Sequence, residues 1–370
     1  MSTKSKKFAE QRSTSSKEKS SVPVKGYIPT GCTLLNLACS GSEQGGYMTG
    51  KIVHVIGDSS SGKSLLGLTT LAEAAMNPKL KQYKLELDDV ERSNEFNVEQ
   101  MFGTLSKRLV ERNSTTIEDF YDATWTRIQA GIPFVKILDS MDALNGSVEL
   151  DKFEEDLKAR AAGKDVKGSY GMAKAKSNSD GLRKIKSGLK DTESLLMIIS
   201  QTRDNIGISF APKTHNGGRA LKFYACYQYW LAVKQTLTRT IREVKHEIGI
   251  VARVKISKNH ATGCHMQFDL PIYYGYGVDD VRANILWLCE IKAWKMGEKG
   301  ALKTGGEFGE GQWTVNTLAS HVEKENLQLH LAKITGNAWR ELDAQLRRPG
   351  RYSQTSGNTE SDTDEVGFEE

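Results

Sequence analysis

Residues Val53–Thr70 read VHVIGDSSSGKSLLGLTT, a few mostly apolar residues that fall into a loop of Gly, Asp and Ser and then into a helix-like run. From Gly57 to Ser64 the spelling GDSSSGKS fits G-x-x-x-x-G-K-[ST], the loop that wraps backbone N–H groups around the phosphates of a nucleotide. Gly57 and Gly62 permit the backbone angles that turn those groups inward, and the helix that follows adds its positive N-terminal end. The candidate nucleotide contacts are Gly57, Asp58, Ser59, Ser60, Ser61, Gly62, Lys63 and Ser64. In this pattern Lys63 reaches the β- and γ-phosphates of the nucleotide and Ser64 offers its hydroxyl to Mg²⁺. A Gly/Ser loop that only turns the chain is the plainer alternative.

The flanking pattern decides the fold class. Lys51–Ile56 (KIVHVI), Phe134–Leu138 (FVKIL) and Leu195–Ile199 (LLMII) are short apolar runs with β-branched residues, as expected of parallel strands covered on both faces. Lys63–Met76 is apolar on more than one side and stops at Asn77-Pro78, which predicts a helix packed into the body. Arg239 to Asp269 reads as twisted, mainly antiparallel strands beside the sheet, with HATG as a turn. Beyond about Asp280 the texture changes, with Trp287, Trp294, Trp313 and Trp339 spread through helix-like segments and a Gly-rich interruption at Thr304–Gly311. The expected class is α/β, a phosphate-loop core whose mostly parallel sheet is flanked by helices, plus a small C-terminal domain. The expected divisions are a basic tail over 1–25, the core over 26–280, the C-terminal domain over 281–350 and an acidic tail over 351–370.

Composition narrows the function classes. With 370 residues, 38% hydrophobic and 26% charged, the chain has material for a real core and for roughly two domains. It contains no apolar run approaching a membrane span and no secretory h-region at its start, so a cytoplasmic protein without a membrane partner is expected. Five cysteines are scattered and never in C-x-x-C, which indicates neither a disulfide framework nor a zinc site. The cluster of His260, Cys264 and His265 lacks the further ligands a metal needs.

Charge is distributed unevenly. Residues 1–25 carry seven Lys or Arg against two acids, and six carboxylates lie between Glu360 and Glu370 with no base after Arg351. Both ends read as oppositely charged tails. The acidic one is either a solubility device or an internal competitor for a basic groove. Between Leu157 and Lys190 ten basic residues face two acids in a stretch rich in Gly and Ser. That stretch is either a solvated helix face or a loop-rich surface for a polyanion.

A phosphate loop does not identify the reaction; its companions do. Asp139 ends the apolar strand in FVKILDS, where a carboxylate holds the Mg²⁺ shell through water, although a strand-end Asp is equally a turn or cap residue. Glu91, in LELDDVERS, is the candidate base for activating water, with Asp88 and Asp89 as solvated or capping neighbours.

The order IPTGCTLLNLACSGSEQGGYMTGKIVHVIGDSSSGKS, DDVE, KILDSMDAL, IISQTRDNIG, GGRALKFYA, RVKISKNH and YYGYG, over roughly Ile28 to Glu341, resembles the bacterial RecA recombinase family. The resemblance implies a RecA-like core that forms a filament on single-stranded DNA. It also implies ATP at subunit interfaces, ATP hydrolysis to ADP and phosphate, and strand exchange with a homologous duplex. A single-strand-binding protein or a loader would be accessory partners. Carried over by position, Lys63 and Ser64 match the phosphate-loop Lys and the Mg²⁺ ligand, Asp139 the metal-shell Asp, and Glu91 the residue that activates water. Gln201 matches the glutamine that senses the γ-phosphate. An amide at a strand end gains a partner with ATP and loses it after hydrolysis; taken alone it is also an ordinary strand cap.

The same resemblance assigns two DNA loops. The second, TRDNIGISFAPKTHNGG, offers Arg203 to phosphate and Ile206 as a wedge between bases. The first coincides with the basic stretch, with Met172 as its wedge and Lys174, Lys176, Arg183 and Lys184 as phosphate partners, and this favours nucleic acid as the polyanion. Lys222 and Phe223 match a pair near the subunit junction, and Lys258 one of two lysines that reach the neighbour's ATP. The second of those positions is His260 here, a weaker cation. The short basic N-terminus also departs from the bacterial pattern. A rival from another class is a DNA-binding regulatory or annealing module that performs no strand exchange. A ring helicase on the same core is less well matched by GGRALKFYA and SKNH.

Overall fold

The computed structural model describes residues 26–92, 96–161, 171–203, 214–215, 218–309 and 312–348. Strands β1 (Tyr27–Ile28) and β2 (Tyr47–Met48) bracket helix α1 (Thr33–Ser40). The phosphate-loop stretch gives β3 (Lys51–Gly57) and α2 (Lys63–Met76), followed by β4 (Lys84–Asp89), α3 (Val98–Phe102), β5 (Leu109–Arg112), α4 (Ile117–Gln129) and β6 (Phe134–Asp139). Next come α5 (Ser147–Ala161), α6 (Gly171–Asp191), β7 (Leu195–Arg203), β8 (Thr214–His215) and α7 (Gly218–Tyr224). Strands β9 (Tyr227–Ile241), β10 (Val244–Asn259), β11 (Gln267–Tyr273) and β12 (Gly277–Val278) complete the main sheet. The described chain closes with α8 (Asp280–Glu290), β13 (Lys295–Met296), β14 (Leu302–Lys303), α9 (Val315–Lys324) and α10 (Gln328–Leu346).

The main sheet runs β12-β11-β10-β9-β3-β7-β6-β4-β5, with β8 beside β7. Its middle is parallel from β9 through β3, β7, β6 and β4 to β5, and β10 to β12 add antiparallel strands at one side. Alternation along each central strand sorts the side chains between two cores. Val53, Val55, Met197 and Ile199 join the cluster under α1, α2 and the C-terminal helices. Ile52, Leu138, Leu196 and Ile198 join the one under α4 and α6. The sheet is therefore covered on both faces, which is why its strands read as continuous apolar runs. No helix among the described residues is long and apolar enough to cross a membrane.

The basic stretch differs from its loop-rich expectation, because its described parts are helices, the end of α5 and all of α6. Leu182, Ile185 and Leu189 form a buried stripe along α6. Gly181 and Gly188 are not turn signals but contact points, since a Cβ on Gly181 would stand 2.2 Å from the Tyr121 ring and one on Gly188 2.3 Å from Ile128. The antiparallel region also begins earlier than Arg239. β9 starts at Tyr227, pairing in parallel with β3 over Tyr227–Leu231 before it runs on against β10. Gln228 within this start breaks the apolar run that would have signalled it. Beyond Leu231, β9 pairs only with β10 among the described residues, and the two form an arm exposed from Ala232 to Glu247 except at half-buried Leu237.

The elements after Asp280 pack on the first core without a break: Trp287, Trp294, Phe308, Leu318 and Trp339 belong to the same buried cluster as Val53 and Leu66. Trp287 and Trp339 sit with ring centroids 5.7 Å apart.

Candidate nucleotide site and switch strand

The phosphate loop leaves the end of β3 at Gly57, whose partner across the ladder is Gln201 of β7. A Cβ at Gly57 would meet Leu231 O at 2.4 Å and Ser61 Oγ at 2.7 Å, and at Gly62, with φ +91°, it would meet Ile272 Cδ1 at 2.5 Å. Both glycines are thus required by the loop's course. Gly62 caps α2 without any side-chain bond, so the first-turn N–H groups of that helix have no intrahelical acceptor. This donor cradle suits a phosphate.

Lys63 is 7% exposed and its Nζ donates to Asp58 O at 2.6 Å. Burial pulls its ammonium below the ordinary lysine range, opposed by Asp139, Glu91, Asp58 and Asp142. Ser64 bonds the Asp139 carboxylate, and burial pushes that carboxyl up against the pull of this bond. A hydroxyl and a carboxylate in contact beside a buried ammonium form an oxygen donor set that fits Mg²⁺ carried with a nucleotide. Asp139 and Asp89 are paired residues of β6 and β4, so the ladder itself brings the metal-shell candidate beside the segment bearing Glu91.

Glu91 is at the centre of a compact network. Its Oε1 accepts from Ser140 Oγ at 2.5 Å and from Gln201 Nε2 at 2.9 Å. The backbone N of Gln201 donates to Asp142 Oδ2 at 2.7 Å, and Thr202 Oγ1 donates to Asp58 Oδ1. Candidates scattered from Gly57 to Gln201 in the chain therefore converge at the ends of β3, β4, β6 and β7. Ser140, Asp142 and Thr202 were missed from the sequence; Ser140 and Thr202 adjoin candidates, Asp142 follows three residues after one, and only the parallel register brings them to the site. Asp88 corrects its expected role as a solvated or capping neighbour. It is fully buried, ion-paired to Lys136 at 3.3 Å, and accepts from the backbone N and Oγ of Ser114.

Beside the loop lies a cavity of about 320 Å³, lined by Ser60 to Leu65 together with Phe96, Met101, Ile272 and Tyr274. Its apolar and aromatic wall stands next to the phosphate cradle, as a planar base attached to a polyphosphate requires. A larger cavity, about 670 Å³, borders the far half of α2 and carries Glu43, Glu73, Asp280 and Glu323. That acidic lining repels phosphate, and the smaller cavity is the nucleotide candidate.

A family model for the RecA N-terminal domain matches residues 2–279. The chain belongs to the RecA family. The Protein RecA of Symbiobacterium thermophilum is 28% identical over 286 residues, 77% of this chain and 75% of that protein. The Protein RecA of Acidothermus cellulolyticus is 28% identical over 308 residues, 80% and 82% of the two chains. The Protein RecA of Thermus thermophilus is 29% identical over 255 residues, 69% and 68%.

The remaining RecA-family positions are placed unevenly. Lys258 sits lower in the sheet than the phosphate loop: it pairs with Gln228 on β9, which is the register partner of His54, whereas the loop begins at the level of Leu231. Its Nζ donates to Lys222 O at 2.5 Å and Phe223 O at 3.1 Å, so Lys258, Lys222 and Phe223 meet at the C-terminal end of α7. On α6, Lys176, Arg183 and Lys184 are exposed. Arg183 and Lys184 form loose surface pairs with Asp180 and Asp122, each at 3.4 Å, which are weak and open to exchange. Lys174, expected as a phosphate partner, donates its ammonium to Asp142 O and Leu144 O behind β6. Ile206 and the side chains of Met172 and Arg203 lie outside the described residues, as do both tails.

Proposed function

We propose that the chain is an ATP-dependent DNA recombinase that assembles as a filament on single-stranded DNA, hydrolyses ATP to ADP and phosphate, and pairs the bound strand with a homologous duplex in the cytoplasm. The observation that carries this reading is the 2.9 Å hydrogen bond from Gln201 Nε2 to Glu91 Oε1. It joins the candidate water-activating carboxylate to the strand that runs into the second DNA loop.

In the proposed cycle the cradle of Gly57 to Ser64 binds the phosphates and Lys63 transfers its ammonium from the Asp58 carbonyl to them. Ser64 and Asp139 would hold Mg²⁺, which when bound neutralises charge on the phosphate oxygens. Glu91 accepts the proton of the attacking water. Gln201, its amide drawn toward the γ-phosphate, releases Glu91 and shifts the loop that follows. Lys258 acts across the subunit junction on the neighbour's ATP, leaving the Lys222 and Phe223 carbonyls that it holds in the isolated chain.

Glu91→Gln tests the reading. It keeps the Ser140 contact and the side-chain shape but cannot take a proton. Hydrolysis should fall roughly 10²–10⁴-fold, with nucleotide and DNA binding retained and long-lived filaments visible by electron microscopy with single-stranded DNA. Wild-type hydrolysis in this variant would remove Glu91 from its role. Isolated particles in place of filaments would favour the regulatory or annealing module.

A further inference from the structure

A chain of buried polar side chains crosses the middle of the sheet where apolar residues would otherwise meet. Ser200 on β7, His54 on β3 and Gln228 on β9 are 0%, 0% and 3% exposed. His54 Nε2 lies 3.0 Å from Ser200 Oγ, and His54 Nδ1 lies 3.1 Å from Gln228 Nε2. Half-buried Ser257 of β10 closes the chain by sharing its hydroxyl proton between the Gln228 backbone O at 3.2 Å and Oε1 at 3.3 Å. Ser257 occupies a register shift between Ile256 and Lys258, an irregularity of the kind that re-aims a side chain.

The donors fix the direction of the chain. An amide nitrogen can only donate, so Nδ1 of His54 accepts and the neutral ring carries its proton on Nε2, which donates to Ser200. The order is then Ser257 hydroxyl to the two Gln228 carbonyls, backbone and side-chain, Gln228 amide to His54, and His54 to Ser200. Burying such a set costs desolvation that a run of Val and Ile would avoid. Fully bonded, it ties four adjacent strands into one orientation.

Its two ends have functional neighbours. Ser200 precedes Gln201, which bonds Glu91. Ser257 precedes Lys258, whose ammonium holds the last carbonyls of α7. Gln201 begins the segment that α7 ends, so the chain of bonds joins the strand that enters that segment to the helix that leaves it.

We infer that Ser200, His54, Gln228 and Ser257 form a positioning relay that carries the nucleotide state of Gln201 through the sheet to Lys258 and α7. The relay itself follows from the geometry; its consequence for the neighbour's ATP rests on the role proposed above for Lys258. A displacement of β7 at Gln201 moves Ser200, and His54 and Gln228 must follow or forfeit buried hydrogen bonds. Both ends of the second loop then shift together.

His54→Leu would strand the Gln228 amide in the core, so the test uses Ser200→Ala, Ser257→Ala and the double variant in the full chain. Backbone hydrogen exchange of α7 is measured without DNA, with and without a non-hydrolysable ATP analogue. The analogue should alter α7 exchange in the wild type. Each substitution should reduce that response by roughly two- to thirtyfold, the double no more than the stronger single, with analogue affinity unchanged. A wild-type α7 indifferent to the analogue, a response surviving both substitutions, or effects that multiply in the double would each overturn the relay. Single-stranded DNA affinity with and without the analogue is the separate measurement. If DNA binding ignores the analogue while α7 responds, the recombinase reading fails and the relay stands.

Discussion

At the scale of single residues, the site is organised by which charges are kept and which are weakened. His260 occupies the place where a second interface lysine is expected, and it is exposed. Desolvation, then Lys258 and Lys51, hold its imidazole below the ordinary histidine range. The sign is simple: a lowered value keeps the ring neutral at pH 7 and charges it only on acidification below about 6.5. DNA-stimulated ATP hydrolysis by the wild type should therefore rise, relative to His260→Lys, as the pH falls through that range, and His260→Lys should be the faster enzyme at neutral pH. Parallel pH profiles for the two proteins would show that no cation is used at this position. Most candidate residues of the nucleotide site were legible because the phosphate-loop pattern is local. Ser140, Asp142 and Thr202 were not, because their roles depend on the β3, β6 and β7 register rather than on neighbouring letters.

At the scale of elements, the central strands and α2 follow directly from apolar runs bounded by Gly, Asn and Pro, and β3 and α2 begin where the sequence places them. α6 was obscured by its own packing. Gly and Ser, which signal loops when read singly, there allow α4 and α6 to approach closely, and the informative letters are Leu182, Ile185 and Leu189 at helical spacing. Gly181→Ala and Gly188→Ala should each lower the urea midpoint. Overpacking against Tyr121 or Ile128 costs about 1–3 kcal/mol, against a helix-propensity gain of about 1 kcal/mol. A midpoint that rises in either variant would mean that α4 yields and the contact is not tight. Lys174 shows the opposite limit of sequence reading: its charge was visible, but the two carbonyls it serves lie thirty and thirty-two residues earlier in the chain.

At the scale of the whole molecule, the apolar cluster that begins under β3 continues through Trp287 to Trp339. Trp339→Ala should cost about 3–5 kcal/mol and should lower the thermal midpoint for nucleotide binding and for tryptophan fluorescence together. Two separated transitions would show that the residues after Asp280 unfold on their own. The β9–β10 arm has the opposite character, since it lies outside the core and, beyond Leu231, the outer side of β9 pairs with no other strand among the described residues. Such a margin is a template on which another strand can crystallise into a growing ribbon. Arg239, Arg242 and Lys245, all exposed, set like charges against any copy that tries to zip on, whereas Lys234 is already ion-paired to Asp269 at 2.5 Å. Neutralising those charges would therefore show first as self-association on concentration, with the buried core untouched.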